Sequence, residues 1–158
     1  MSGLLIRDAE LQDVAAVIAL LADDDKGRAR EDIGTDALDR GYFEAFAAIM
    51  ADPNQRLLLA EKDGAIVGTF QLSFLPGLSF RGAWRGQIEA VRIASHWRGR
   101  GLGREMILWA VERCRERGCR MVQLTTHKSR DRAHAFYERL GFERSHIGMK
   151  LHLGASGV

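Results

Sequence analysis

The sequence predicts a domain of the α/β (α+β) class with a mixed sheet, and three observations carry that expectation. Strand-like runs take turns with runs of helical period along the chain. The two prolines, Pro53 and Pro76, fall between such runs, and no Ser/Gly linker or internal repeat divides the 158 residues. Apolar residues make up 46%, enough for a sizeable core in one domain of this length. The expected order is β-α-α-β-β-β-α-β-α-β, with about six to seven strands and about four helices. It spans residues 1–153 as a single domain, and "GASGV" (154–158) forms a loose tail.

Each element has its own warrant. Residues 3–7 read as a short strand. Asp13 precedes "VAAVIALLA", whose Val14, Val17, Ile18 and Leu21 share one helical face. The polar stretch "DDDKGRARED" (23–32) reads as a turn, leading to a helix over about 36–51 on which Leu38, Tyr42, Phe46 and Ile49 keep a helical period. Asp52-Pro53-Asn54 ends it. "QRLLLAEKDGAIVGTFQLSFL" holds two strand-like runs around Asp63-Gly64, a strong hairpin signal. In "WRGQIEAVRIA" (84–94), alternation puts Gln87, Glu89, Val91 and Ile93 on one strand face. A helix then runs to about Arg117, punctuated by Gly118. "RMVQLTT" reads as a buried strand, Ser129 as the N-cap of a helix ending near Leu140, and "FERSHIGMKLHL" as the last one or two strands.

Composition removes several function classes. With 23 basic and 21 acidic residues the net charge is +2, which lacks the one-signed excess of a nucleic-acid binder. Cys114 and Cys119 do not match common zinc spacings, and the histidines (His96, His127, His134, His146, His152) show no close ligand pattern, so no metal is expected. Cys114 falls on an apolar helix face and reads as a buried, inert thiol. No apolar run approaches membrane-spanning length, and "MSGLLIRDAE" lacks an export core, which points to a cytoplasmic protein without a membrane partner.

Chemistry concentrates in "VRIASHWRGRGLGREM" (91–106). At a strand-to-helix junction several amide N–H groups lack internal partners, and the helix dipole adds partial positive charge, so the place suits phosphate. Gly99, Gly101 and Gly103 let the backbone approach a bulky anion, while Arg98, Arg100 and Arg104 supply charge. The Walker A pattern fails because Arg104-Glu105 follows Gly103, and no spacing here satisfies G-x-G-x-x-G. The pattern present is R-x-x-G-x-G, formed by Arg98, Gly101 and Gly103.

"WRGRGLGREM" after the strand "IEAVRIA" resembles the acetyl-CoA pyrophosphate loop of the GNAT family of N-acetyltransferases. "IRDAELQD" resembles that family's first strand and helix start, and "AHAFYERLGF" (133–142) its late helix-turn-strand motif, so the likeness covers nearly the whole chain. The resemblance implies a GNAT fold with acetyl-CoA as cosubstrate, held by Val91, Arg92, Ile93, Arg98, Gly99, Arg100, Gly101, Leu102, Gly103 and Arg104. Arg130 stands where many members have asparagine; it could still reach the coenzyme, without the usual amide contact.

Acetyl transfer to an amine needs a proton acceptor for the ammonium, N–H donors for the oxyanion and a proton for the departing thiolate. Periodicity alone favours a core aromatic for Tyr137, in a stripe with Ala133, Phe136 and Leu140, and the resemblance makes it the proton donor instead. Glu89 is the candidate base, directly or through water, its carboxylate partly desolvated on the strand face; an ion pair with a neighbouring arginine is the plainer alternative. The oxyanion donor would be a backbone N–H near Val91–Ile93. The acceptor expected is a primary amine of a small molecule, attacking directly. The run "DRAHAFYERLGFERSH" is somewhat similar to members acting on aminoalkylphosphonates. Asp23, Asp24, Asp25, Glu31 and Asp32 could draw an ammonium, although a solvated loop is the plainer reading for most of them, and Arg81, Arg85 or Arg92 could draw an anion. Protein N-termini or lysines as acceptors, and a non-catalytic acyl-CoA sensor, are the alternatives. A homodimer is compatible with this fold, with no interface indicated.

Overall fold

The computed structural model describes residues 3–31 and 38–154, which form two compact units, Met1–Leu124 and Thr125–Val158. In the first, β1 (Leu5–Asp8) leads through a 3-10 turn into α1 (Val14–Leu21), a single turn α2 (Asp25–Arg28) and α3 (Arg40–Ala51). The hairpin β2 (Gln55–Lys62) and β3 (Ala65–Leu75) follows, then a turn α4 (Ser79–Gly82), β4 (Arg85–Ile93), α5 (Leu102–Glu116) and β5 (Met121–Leu124). The sheet order is β1-β2-β3-β4-β5, antiparallel except for the parallel β4–β5 pair.

The hairpin turns on Asp63 and Gly64, both with positive φ (51° and 78°), the geometry that twists with its strands. Helices cover the two sheet faces. On one, Val17 and Leu21 of α1 and Phe46 of α3 pack with Leu57 and Leu59 of β2. On the other, α5 buries Met106, Ile107, Ala110 and Cys114, and Trp109 meets Phe70 edge-on at 6.1 Å. Gly86 lets α5 come this close: a Cβ there would collide with the Cys114 sulfur. Arg7 ties β1, the α1 entry and β2 together, reaching Asp13 Oδ2 at 2.7 Å and Glu61 Oε1 at 2.7 Å. That hydrogen bond from Arg7 holds the buried Asp13 carboxyl below its usual range, against the opposing pull of burial.

The second unit contains α6 (Asp131–Arg139). Several expectations shift. The polar 23–32 stretch contains α2, capped by the Asp24 carboxylate accepting from the Gly27 N–H. The helix expected over about 36–51 is described from Arg40, and residues 36–37 lie outside the described residues, as do 155–158 of the tail. α4 was not expected: Phe80 and Arg81 take left-handed conformations. Ser129 does not cap α6; it bonds the His127 ring instead, and Arg130 holds the N-cap position. The sheet has five strands among the described residues rather than six to seven, because residues 143–154 form none. Ile147, Met149, Leu151 and Leu153 keep a two-residue alternation yet are about nine-tenths exposed, at 91%, 91%, 86% and 91%. Alternation supplies a face, but a strand also needs a neighbouring edge to bond.

Candidate active site

The site is built on a break in β4. Its first half pairs on both sides: Arg85 to Ile88 face β3, and the same four residues pair in parallel with Met121 to Leu124 of β5. The β5 pairing stops at Ile88–Leu124, while the β3 pairing continues to Ile93. From Glu89 onward, therefore, the β4 edge towards β5 carries backbone N–H and C=O groups outside any described ladder. At the same place a bulge opens. Glu89 pairs with Gln71 and Arg92 with Thr69, so three β4 steps match two β3 steps. Ala90 takes φ +52°, rare for a residue with a Cβ.

The bulge corrects the expected alternation. Glu89 stays on the face of Gln87, but Ile93 crosses over: it pairs with Gly68 and packs beside Met106 on the α5 side, while Arg92 joins Glu89. Glu89 and Ala90 are exposed, so the strand itself does not supply the expected desolvation of the Glu89 carboxylate.

β4 then runs through a 3-10 turn, Ser95–Trp97, into the glycine loop. Gly99 and Gly101 have φ of 74° and 82°, and nothing lies within 4 Å of where their side chains would stand. Gly101 is the N-cap of α5, so the N–H groups of Leu102, Gly103 and Arg104 have no carbonyl four residues back within the helix. The three arginines are used differently. Arg98 donates from Nε to the Ile93 carbonyl (3.0 Å) and from Nη2 to the Asp23 carbonyl (2.6 Å), holding the loop to the end of β4 and to the α1–α2 link. The Asp23 carboxylate accepts from the Ser95 N–H at 2.7 Å. Arg100 stacks over Trp97 at 4.9 Å, and Arg104 is exposed on the first turn of α5.

The acidic stretch before α3 is likewise engaged. Asp24 caps α2 and pairs with Arg92 at 3.7 Å, and Glu31 accepts from the Tyr42 hydroxyl at 2.9 Å. Asp32 and the side chain of Asp25 lie outside the described residues. In the second unit, Tyr137 is half-buried on α6, edge-on to Phe136 (5.0 Å) and Phe142 (5.7 Å). Arg130 accepts from the His134 N–H through its carbonyl at 3.0 Å.

A strand edge left open beside a bulge and running into a left-handed glycine cap suits an extended chain that ends in a diphosphate. The sequence profile of the acetyltransferase (GNAT) family matches residues 15–142. The chain belongs to that family.

This GNAT protein is 31% identical to an aminoalkylphosphonate N-acetyltransferase of Salmonella typhimurium, over 90% of this chain and 86% of that one. It is 34% identical to the N-alpha-acetyltransferase MAK3 of Arabidopsis thaliana, over 58% of this chain and 46% of that protein. A solved structure from Bacillus halodurans C-125, described as a transcriptional regulator, superposes with a TM-score of 0.90 at 44% identity, covering 95% of this chain and 99% of its own. The protein is thus an acetyl-CoA-dependent N-acetyltransferase of the GNAT family. Ala90 and the anchoring Asp23 carboxylate lie outside the site expected from the sequence. The first left a signal: polar residues at 87, 89 and 92 step by two and then by three, as a bulge requires.

Proposed function

We propose that the protein moves the acetyl group of acetyl-CoA to the primary amine of a small molecule by direct attack in a ternary complex, within one domain spanning residues 1–153. The observation that carries this is the open β4 edge from Glu89 to Ile93, leading into the glycine cap of α5. Acetyl-CoA supplies an activated acyl carbon. The chain supplies the rest. The N–H groups from Gly99 to Arg104 grip the diphosphate, and Arg100, Arg104 and Arg130 add positive charge near it. Backbone groups of Val91, Arg92 and Ile93 hold the extended arm, and an N–H at the bulge donates to negative charge developing on the acyl oxygen. Glu89 takes a proton from the acceptor's ammonium, directly or through water, the amine so freed attacks the acyl carbon, and the Tyr137 hydroxyl gives a proton to the departing thiolate.

Two further readings have specific support. Similarity to the Arabidopsis thaliana N-alpha-acetyltransferase favours a protein amine as acceptor, and the description of the Bacillus halodurans structure as a transcriptional regulator favours a regulatory role beside acetyl transfer. Coenzyme A release with a panel of amines, followed by mass spectrometry of the products, separates the acceptor classes. The proposal expects turnover on small amines and a fall of about 10- to 1,000-fold in kcat for Tyr137→Phe, with acetyl-CoA affinity kept. Saturable binding without turnover would favour a non-catalytic acyl-CoA sensor, and acetylated protein the protein acceptor.

A further inference from the structure

The face of the sheet beside the bulge carries a row of uncharged polar side chains in direct register across four strands. Gln55 pairs with Ser73, Ser73 with Gln87, and Gln87 with Gln123. Glu89 lies one register step further along β4, with Gln71 as its β3 partner. On the opposite face Phe70, Leu72 and Ile88 of the sheet and Met106 and Ile107 of α5 are buried. An acceptor approaching Glu89 along the face of Gln71 and Gln87 passes over the polar row, beyond the part of that face where α1 and α3 pack on Leu57 and Leu59.

The row is bonded internally in a way that fixes what it offers outward. The Gln55 Oε1 accepts from the Ser73 hydroxyl (2.7 Å) and from Gln71 Nε2 (3.0 Å), and Gln87 Oε1 accepts from Gln123 Nε2 (2.8 Å). The amides of Gln55 and Gln87 are left with N–H groups to donate, and those of Gln71 and Gln123 with carbonyl oxygens to accept. A hydroxyl donates and accepts at once and matches such a mixed surface. A phosphonate only accepts, and would face the carbonyl oxygens unfavourably. The cations on this face stand elsewhere. Arg92 pairs with Asp24 at 3.7 Å. Arg85 lies four residues from Glu89 along β4, ~14 Å at 3.4 Å per residue, with its guanidinium turned toward the Gly77 backbone.

We infer that this row is the floor of the acceptor site and that the acceptor is a hydroxylated primary amine, an amino alcohol or amino sugar, with hydroxyls within about 7 Å of its nitrogen, two strand residues' length. This rests on the acetyl-transfer reading above. Initial rates with acetyl-CoA and each of glucosamine, 2-aminoethylphosphonate and an unblocked tetrapeptide test it, in the wild type and in Gln87→Met and Gln123→Met. Gln55→Met serves as a second break in the row should either variant melt early. The expected result is a preference for glucosamine of about tenfold or more in kcat/KM. Each variant should raise the glucosamine KM by about tenfold, the weight of one hydrogen bond, with kcat and the acetyl-CoA KM within about twofold. Preference for the phosphonate or the peptide, or an unmoved glucosamine KM in the folded variants, overturns the inference alone. Failure to bind acetyl-CoA in a calorimeter overturns it together with the reading beneath it.

Discussion

Glu89 stands exposed one residue ahead of the left-handed Ala90, on the strand face that also carries Gln87 and its β3 partner Gln71. An ionised carboxylate there can draw an ammonium in and then take its proton, while an amide can do neither. Glu89→Gln is therefore expected to lower kcat by about 100-fold and to flatten the acidic side of the pH–rate profile. An unaltered acidic side, with the rate merely scaled, would assign the proton to solvent or to another group. Glu89 was legible in the sequence as the lone carboxylate of its strand. Its exposure was not, because perfect alternation hides a bulge, and only the Glu89-to-Arg92 spacing of three betrays it. The acidic run at 23–32 reads as a solvated loop with a substrate role as the lesser alternative, and its engagement within the chain stands outside both. Asp23, Asp24 and Glu31 are each engaged within the chain, through partners that no local pattern reveals, such as Ser95, Arg92 and Tyr42.

At the scale of elements, the hairpin and α5 follow from the sequence with little loss: Asp63-Gly64 turns as its type demands, and Gly101 and Gly118 bracket the helix in left-handed conformations. What the sequence could not show is how the glycine loop is held. Arg98 reads naturally as a phosphate ligand, but its guanidinium ties the Ile93 and Asp23 carbonyls, and we propose that it serves the coenzyme through the position of the loop. Arg98→Lys distinguishes the two roles, since it keeps the charge and loses the fork. A positioning role predicts that Arg98→Lys weakens acetyl-CoA binding as much as Arg98→Ala does, by about tenfold in each, with the salt dependence of binding unchanged. Rescue by lysine, or a shallower salt dependence in the alanine variant, would return Arg98 to direct phosphate contact. The final strand failed for a different reason. Ile147 to Leu153 alternate as a strand should, but pairing is a property of a neighbouring edge, which a single segment does not encode.

At the scale of the whole molecule, two buried groups bound the pH range of stability from opposite ends. Arg7 keeps Asp13 ionised below the usual carboxylate range, so the folded state binds fewer protons there than the unfolded chain. That contribution is complete above about pH 4, where an unfolded aspartate is ionised, and is lost as pH falls through the lowered folded value. Cys114 works the other way. Burial under Gly86 pushes its thiol up to about 12, whereas an exposed thiol ionises near pH 8.5, so its contribution is complete below that and is lost as pH rises toward the folded value. Urea midpoints should accordingly form a plateau between about pH 4 and 8.5, falling on both sides. Asp13→Asn should lower the plateau by about 1–3 kcal/mol and soften the acidic fall, because the variant has no carboxyl at 13 to protonate. Cys114→Ala should soften only the alkaline fall, whatever the cavity costs at neutral pH. Parallel curves for the wild type and Asp13→Asn below pH 4 would remove Asp13 from the acid limit and leave the Arg7–Glu61 contact as the tie between β1 and β2.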